Sequence, residues 1–156
     1  SSKRLQLKQG LYVKKVYGHI IFTRKLPEKT SFSYKVTVPG QVYIKETEKS
    51  FSFQLIERKD FKPQVDDCYL DYDKIKGEPY LRSRRPGDVF CPRGIQGTKK
   101  IKDFFIDLKV PQADRDQVPL LVTDQKIYAI LGFRIAQDAA VDDTTRKILL
   151  ISIHNS

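Results

Sequence analysis

The chain has 156 residues, of which 40% are hydrophobic and 31% charged, and its formal net charge is +10. That length suits one domain or two small ones, and no apolar run approaches the ~20 residues that span a bilayer. The first ten residues lack the apolar segment of a signal peptide, and the absence of Met even at position 1 predicts a fragment. Two cysteines, Cys68 and Cys91, are too few for a disulfide scaffold, which favours a reduced, cytosolic setting.

The positive charge is concentrated in two blocks. Residues 1–60 carry 13 basic and five acidic side chains, and residues 82–115 carry nine basic and four acidic ones. A polyanion such as nucleic acid is the natural partner of such blocks. The alternative is that the charge serves only solubility, because small domains often carry a few excess charges.

The first 60 residues predict strands. Short apolar runs at 11–16 and 20–23 flank a break at Tyr17-Gly18. Apolar and polar residues then alternate over 32–38, as in a strand with one buried face. Pro39-Gly40 predicts a turn in which glycine takes a positive φ, and strands follow at 42–45 and 51–55.

The middle of the chain, residues 57–80, is mixed. Residues 59–67 are polar and contain Pro63, which predicts a loop, whereas residues 68–70 predict a short strand. The four aspartates of DDCYLDYD suggest a metal site, but the segment lacks the central glycine and distal glutamate of a calcium loop. We therefore expect solvated carboxylates and no metal.

One helix is well marked in the second half. Thr98 is a candidate N-cap, and four apolar residues spaced i, i+3, i+4 and i+7 share a face that we expect to be buried: Ile101, Phe104, Phe105 and Leu108. Pro111 ends this helix and can begin a second short one over 111–117.

Three apolar segments follow, at 120–123, 126–133 and 147–153. A turn at Asp124-Gln125 makes the first two a hairpin, and the last predicts a central strand covered on both faces. The predicted fold class is α+β and mostly β, with sandwich-like sheets and one or two short helices. The expected organisation is a β-rich part at 1–60, a connection at 61–80 and a further part at 81–156, with one compact domain over 1–156 as the alternative.

Catalytic and metal motifs are scarce. His19 and His154 are the only histidines, and nothing places either beside Cys68 or Cys91 as a nucleophile pair would require. Two cysteines and two scattered histidines give no zinc spacing, and no standard phosphate-binding glycine motif is present.

A basic glycine loop is the first candidate binding feature. Arg93 and Gly94 precede Gly97, and Lys99-Lys100 follow at the predicted helix start, where free N–H groups and the helix dipole favour phosphate. GxxG loops clamp nucleic-acid backbones in other proteins, although a plain turn before a helix explains the same residues.

Three arginines add a second feature, and Pro86-Gly87-Asp88 predicts a turn after them. In a strand, Arg82 and Arg84 share a face and Arg85 points to the other, and guanidinium groups bind phosphate bidentately. The alternative is a structural salt bridge from Arg85 or Arg115 to Asp88, Asp114 or Asp116. We favour that alternative for Arg115 and Asp116, and RNA contacts for Arg82 and Arg84.

These motifs together resemble one family. R-S-R-R-P-G-D is followed by P-R-G-x-x-G-x-K-K-I-K-D-F-F-I-D-x-K-V-P, then by R-D-x-V-P-L and I-Y-x-x-x-G-x-R-I. Over about residues 80–136 this series is similar to the C-terminal domain of bacterial tRNA(Ile)-lysidine synthetases, with Tyr128 where a tryptophan is expected. VPGQVYI near residues 38–44 is a weaker match to the same region.

The resemblance implies a role in tRNA modification. Enzymes of that family use ATP, with Mg²⁺, to join lysine to the wobble cytidine of a tRNA(Ile) with a CAU anticodon. Their catalysis belongs to an N-terminal PP-loop domain with an SGGxDS motif, and this chain has no Gly-Gly pair. The family's C-terminal region is similar to a domain of phenylalanyl-tRNA synthetase β chains, a β-sandwich with flanking helices, and contacts the tRNA acceptor stem.

The resemblance therefore implies a cytoplasmic, non-catalytic tRNA-recognition fragment that needs no cofactor of its own. Its expected partners are the tRNA(Ile) acceptor stem and the PP-loop domain of the same protein, with no membrane partner. The alternative is a dimerisation or interdomain module with a solubilising basic face. The expected RNA-binding residues are Arg82, Arg84, Arg85, Arg93, Gly94, Gly97, Lys99, Lys100 and Lys102.

Overall fold

A computed structural model describes residues 31–155, with side chains to 154, and the backbone of residues 3–6, 12–16 and 19–23. The strands are β1 Lys3–Gln6, β2 Tyr12–Val16, β3 His19–Thr23, β4 Ser33–Lys35, β5 Gly40–Ile44, β6 Lys49–Glu57, β7 Cys68–Asp71, β8 Tyr80–Arg82, β9 Val89–Phe90, β10 Lys99–Lys100, β11 Leu120–Val122, β12 Ile127–Ile130, β13 Arg134–Ile135 and β14 Lys147–Asn155. The helices are α1 Ile101–Asp107 and α2 Gln112–Arg115, and short 3-10 turns lie at Arg58–Asp60, Tyr72–Lys74 and Gln137–Ala139.

Two larger sheets form the frame of the fold. One has the strand order β5-β6-β14-β7, and the other has the order β13-β12-β11-β8-β4. All of their neighbouring strands are antiparallel. This confirms the predicted fold class: a mostly β, sandwich-like α+β fold with two short helices.

A hydrophobic core joins the two sheets. Phe51 and Phe53 of β6 and Leu149 of β14 pack in one cluster with Leu81 of β8 and Leu121 of β11. All five side chains are at most 1% exposed. Apolar burial of this kind is the main favourable term in folding, so this core holds the two sheets face to face.

A second core lies on the other face of the five-stranded sheet. Leu120 and Val122 of β11 contribute to it, with Ile127 and Ile130 of β12 and the apolar residues of α1. Successive side chains of a strand point to opposite faces, so Leu121 faces the first core while its two neighbours face the second. β11 and β12 are consequently buried on both faces.

The coverage of β14 differs from the prediction. It is central in its sheet, between β6 and β7. The adjacent residues Ile148 and Leu149 are both buried, so the first half of the strand is covered on both faces, but Ile153 near its end is 47% exposed. The expectation of a strand covered throughout is right only for that first half.

The predicted turn at Pro39-Gly40 is corrected. Gly40 has no positive φ and instead begins β5. A Cβ at this position would lie 2.5 Å from the carbonyl oxygen of Thr37, which is closer than real contacts allow. Glycine is needed here because its backbone lies close to the carbonyl of Thr37, three residues earlier, not because of a left-handed conformation.

The predicted strands near the N-terminus are confirmed as β2 and β3, which pair antiparallel with each other, and β1 adds a strand that we did not predict. The break at Tyr17-Gly18 lies outside the described residues. The hairpin of β11 and β12 and the short strand β7 are also confirmed. Among the described residues, no helix has the length and apolar character needed to span a membrane.

Candidate nucleic-acid interface

The basic segment at residues 82–115 packs on an aromatic cluster to which α1 contributes. Phe104 and Phe105 are buried on the inner face of the helix, as predicted. The Phe104 ring contacts Phe90 edge-on at 5.2 Å between centroids, and Phe105 meets Phe133 at 6.0 Å. Edge-to-face aromatic pairs stabilise a fold beyond the contribution of the apolar area that they bury. The cluster therefore fixes α1 and the loops around it on the five-stranded sheet.

The start of α1 differs from the prediction. Lys99 and Lys100 form β10 and pair with β9, and the helix begins at Ile101 with Lys100 in the N-cap position. Thr98 is therefore not the N-cap. The pairing of β9 with β10, together with the hydrogen bond from the Ile101 N–H to the Asp88 carbonyl at 2.9 Å, brings the turn around Asp88 beside the start of the helix.

The glycine loop precedes the helix by several residues and is exposed. Gly94 and Gly97 both have positive φ, at 81° and 86°, a conformation that glycine adopts without strain. The Gly94 N–H donates to Gln137 Oε1 at 2.8 Å, and the Arg93 N–H donates to the Ile135 carbonyl at 3.1 Å. The loop is thus anchored to the region around β13, and its glycines do not lie at the helix N-terminus.

Arg82 is held by a carboxylate. Its Nη1 and Nη2 donate to the two oxygens of Asp88 at 2.8 and 3.0 Å, and Nη1 also donates to the Ser83 carbonyl at 3.0 Å. Both side chains of the ion pair are only 11–12% exposed. A bidentate pair of this kind is a strong, directional contact, so most of the donor capacity of Arg82 serves the fold.

Arg84 is also paired. Its Nε donates to Asp116 Oδ1 at 2.9 Å, and its guanidinium carbon lies 5.9 Å from the centroid of the Phe105 ring. Arg115 instead donates from Nε to the Val110 carbonyl at 2.9 Å. The structural salt bridges that we considered for Arg85 and Arg115 are therefore made by Arg82 and Arg84, although Asp116 has the scaffolding role that we expected.

The remaining predicted cations differ in whether a carboxylate is paired with them. Lys99 forms an ion pair with Asp107. Within residues 82–115 of the described chain, the ion pairs are those of Arg82, Arg84 and Lys99. Of the predicted cations, those left exposed and without a carboxylate partner in the described chain are Arg85, Arg93, Lys100 and Lys102. Among the predicted residues, these four have donors free for an anionic ligand.

Arg134 is a further basic residue that the sequence reasoning did not select. It is exposed, and its guanidinium carbon lies 5.9 Å from the centroid of the Phe104 ring. A cation over an aromatic face is attracted to the ring and held there. The motif I-Y-x-x-x-G-x-R-I contains this arginine and could have pointed to it.

Among the described residues, the hydrogen bonds of Cys91 and His154 do not join a cysteine to a histidine. Burial, assisted by the nearby Asp67 carboxylate, raises the pKa of the Cys68 thiol to about 12, so this thiol stays protonated at neutral pH. The His154 Nε2 lies 3.1 Å from Ser52 Oγ. Across residues 31–154, no group of three or more potential ligands is placed to hold a metal ion.

Comparisons with known proteins agree with this fold. Residues 80–151 match the family model of the TilS substrate C-terminal domain. A solved structure described as a TilS C-terminal domain superposes with a TM-score of 0.69 over 81% of this chain and 98% of that one, at 22% identity. That likeness is one of fold. The fold and the matched segment together define a C-terminal substrate domain of the TilS type.

Two relatives match almost the whole chain. The tRNA(Ile)-lysidine synthase of Caldanaerobacter subterraneus subsp. tengcongensis is 34% identical over 154 residues, 97% of this chain and 33% of that protein. The tRNA(Ile)-lysidine synthase of Clostridioides difficile is 31% identical over 158 residues, 98% of this chain and 34% of that protein. The chain belongs to the tRNA(Ile)-lysidine synthase family, as a C-terminal region, and spans about a third of the length of these relatives.

Proposed function

We propose that this chain is the tRNA-recognition region of an enzyme that joins lysine to the wobble cytidine of tRNA(Ile) with ATP. The observation that carries the proposal is a group of exposed, unpaired cations inside the family segment: Arg85, Lys100 and Lys102. They lie where the turn around Asp88 meets the start of α1. Membership of a tRNA-modifying family supports RNA as the polyanion that they bind.

The target within the tRNA is the acceptor stem. Exposed lysines and arginines on a rigid scaffold contact phosphates and set the position of a duplex without reading its bases. The buried face of α1 and the Arg82–Asp88 pair hold these cations in place. Arg82, Arg84 and Lys99 support the surface through their ion pairs, and Gly94 and Gly97 shape the loop beside it.

Catalysis is assigned to a different part of the parent protein. The PP-loop domain implied by the resemblance would bind ATP and Mg²⁺, and this chain would orient the tRNA toward it in the cytoplasm. The chain itself then needs no cofactor. Its protein partner is that N-terminal domain.

The salt dependence of tRNA binding tests this proposal. The triple variant R85Q/K100Q/K102Q removes three cations from the proposed surface, and K45Q/R58Q/K62Q removes three exposed cations elsewhere. Each lost phosphate contact lowers the slope of log K against log salt by about one unit. Measured between roughly 50 and 200 mM salt, the slope of the first variant should be about three units shallower than that of the wild type. We expect the slope of the control to match the wild type.

Equal slopes for the wild type and the first variant would contradict the site. Thermal unfolding followed by circular dichroism verifies that both variants are folded. Because all six residues are exposed, we expect their melting temperatures to stay close to that of the wild type.

A dimerisation or interdomain module is the second candidate, and one observation favours it. Apolar side chains around the same segment are 45–46% exposed: Val89, Ile95, Ile106 and Leu108. Size-exclusion chromatography with and without tRNA distinguishes the two. A dimer whose elution ignores tRNA supports the second candidate, and a monomer that shifts with tRNA supports the first.

A further inference from the structure

An open cleft of about 680 Å³ lies where the two larger sheets meet at one end. Its volume falls within the range of about 300–1,000 Å³ that is usual for ligand sites. It is lined from β7 and β14 on one side and from the β12–β13 connection on the other. The lining residues that bear on its chemistry are Asp66, Asp67, Arg93, Phe133, Arg134 and Ile153.

Phe133 gives the cleft an exposed aromatic surface. It is 44% exposed, although its ring makes an edge contact with the fully buried ring of Phe105. The Phe133 N–H also donates to the Ile130 carbonyl at 3.0 Å. The ring is therefore held in position while part of it stays open, which is the arrangement that stacks an unpaired base.

Two guanidinium groups lie at the same cleft. The backbone bridge between Pro92 and Ala136 and the hydrogen bond from Arg93 to Ile135 bring Arg93 beside Arg134, 41 residues later in the chain. Neither has a carboxylate partner among the described residues, and the Phe104 ring supports Arg134. Guanidinium groups bind phosphate through paired N–H donors.

The two aspartates of the cleft make a site for phosphate alone unfavourable. Asp67 Oδ2 accepts the Gln64 N–H at 2.9 Å, so Asp67 closes a turn, in which Asp66 has a φ of 73°. The Asp66 carboxylate is exposed and can accept a hydrogen bond from a ligand. A carboxylate is a suitable acceptor for an exocyclic amino group such as N4 of cytosine.

We propose that this cleft binds one unpaired nucleotide of the RNA. The base stacks on Phe133, the phosphate contacts Arg93 and Arg134, and Asp66 accepts from an exocyclic amino group of the base. This inference rests on the proposed function, because it adds a single-strand subsite next to the duplex-binding cations.

Binding of the 156-residue chain to a blunt RNA hairpin and to two extended forms of it tests the subsite. The extended forms each carry four unpaired cytidines, at the 3′ end in one probe and at the 5′ end in the other. A stacked base strengthens binding roughly tenfold, so we expect that gain from at least one extension. F133L keeps an apolar side chain against Phe105 but cannot stack a base, so it should keep the blunt-hairpin affinity and lose the gain.

Charge and base identity are tested with the same probes. R134Q should lose the gain, whereas K45Q, which removes an exposed cation of the opposite edge strand β5, should keep it. Four uridines in place of cytidines should give a smaller gain, since uracil has no exocyclic amino group. An equal gain from uridines would rule out the Asp66 contact.

The outcomes separate the subsite from the proposed function. If blunt and extended hairpins bind equally well, the subsite is wrong and the duplex surface stands. A gain that survives in F133L also overturns the subsite. If none of the hairpins binds, both the subsite and the proposed function fail.

Discussion

Three arginines that are almost adjacent in sequence have three different environments. Arg82 is nearly enclosed by its pair with Asp88, Arg84 lies on Phe105 and is paired with Asp116, and Arg85 is exposed. The side-chain type is the same in each case. What differs is the nearest carboxylate, which is six residues away from Arg82 and 32 residues away from Arg84.

The two ion pairs predict different costs for removing their acids. D88N leaves Arg82 uncompensated at a site that is 11% exposed, and breaking a buried pair in this way costs about 3 kcal/mol or more. Asp88 Oδ2 also accepts the Arg85 N–H at 2.7 Å, which adds to the loss. D116N affects a pair whose acid is 33% exposed, so we expect a cost of about 1 kcal/mol or less.

Urea denaturation of both variants measures this difference in the free energy of unfolding. D116N is the matched control, because both changes replace one carboxylate by an amide beside an arginine. Equal costs for the two variants would show that the enclosure of the Arg82 pair has no energetic consequence.

The helix α1 shows what local pattern can and cannot predict about an element. Its buried residues Ile101, Phe104 and Phe105 follow helical periodicity, and the prediction for them is confirmed. Leu108 was predicted on the same face but is exposed. The helix ends at Asp107, and Leu108 is its C-cap with a ψ of 0°, so helical periodicity no longer places its side chain on the buried face.

Identical changes on the two faces of this helix measure its packing. I101V removes one methylene group from a side chain that is 1% exposed, and I106V removes it from one that is 46% exposed. The buried change should lower the free energy of unfolding by about 0.5–1.5 kcal/mol, and the exposed change by less than about 0.5 kcal/mol.

Chemical denaturation of I101V and I106V gives both values, and I106V also corrects for the lower helix propensity of valine. A cost for I106V as large as that for I101V would contradict the assignment of the faces.

At the scale of the whole molecule, strand pairing joins parts that are distant in sequence. β14 pairs along its full length with β6, from Lys147 opposite Glu57 to Asn155 opposite Lys49. β4 pairs with β8, so both larger sheets combine strands from the first 60 residues with strands from residue 80 onward. The sheets therefore cross the boundaries at 60 and 81 that composition suggested.

This pairing predicts that residues 81–156 do not fold on their own. The fragment lacks both neighbours of β14, the strands β6 and β7. Its core also loses Phe51 and Phe53. We expect the isolated 81–156 fragment to show no cooperative thermal transition by circular dichroism, and the chain from residue 31 to 156 to show one. A cooperative transition of the short fragment would establish it as an independent domain.

Much of the fold and part of the candidate site could be predicted from the sequence. Strand alternation, the apolar face of α1 and the hairpin turn at Asp124-Gln125 depend on neighbouring residues, so they are visible locally. The motif series from Arg82 to Ile135 predicted the family for the same reason. Thr98 was wrongly predicted as the N-cap because the pairing of β10 with β9 is not a local feature. That pairing keeps the backbone extended as far as Lys100, so the helix begins later than predicted.

The sequence by itself determined the fold class, the family and the presence of a basic segment, because periodicity, motif spacing and charge are properties of the chain. Only the tertiary structure decided which cations remain free and which side chains meet. Asp88 and Asp116 neutralise two of the predicted arginines, and Arg93, Phe133 and Arg134 come together at one cleft. Ion pairs and clefts form between residues that are far apart in sequence, and no local pattern records which distant groups become neighbours.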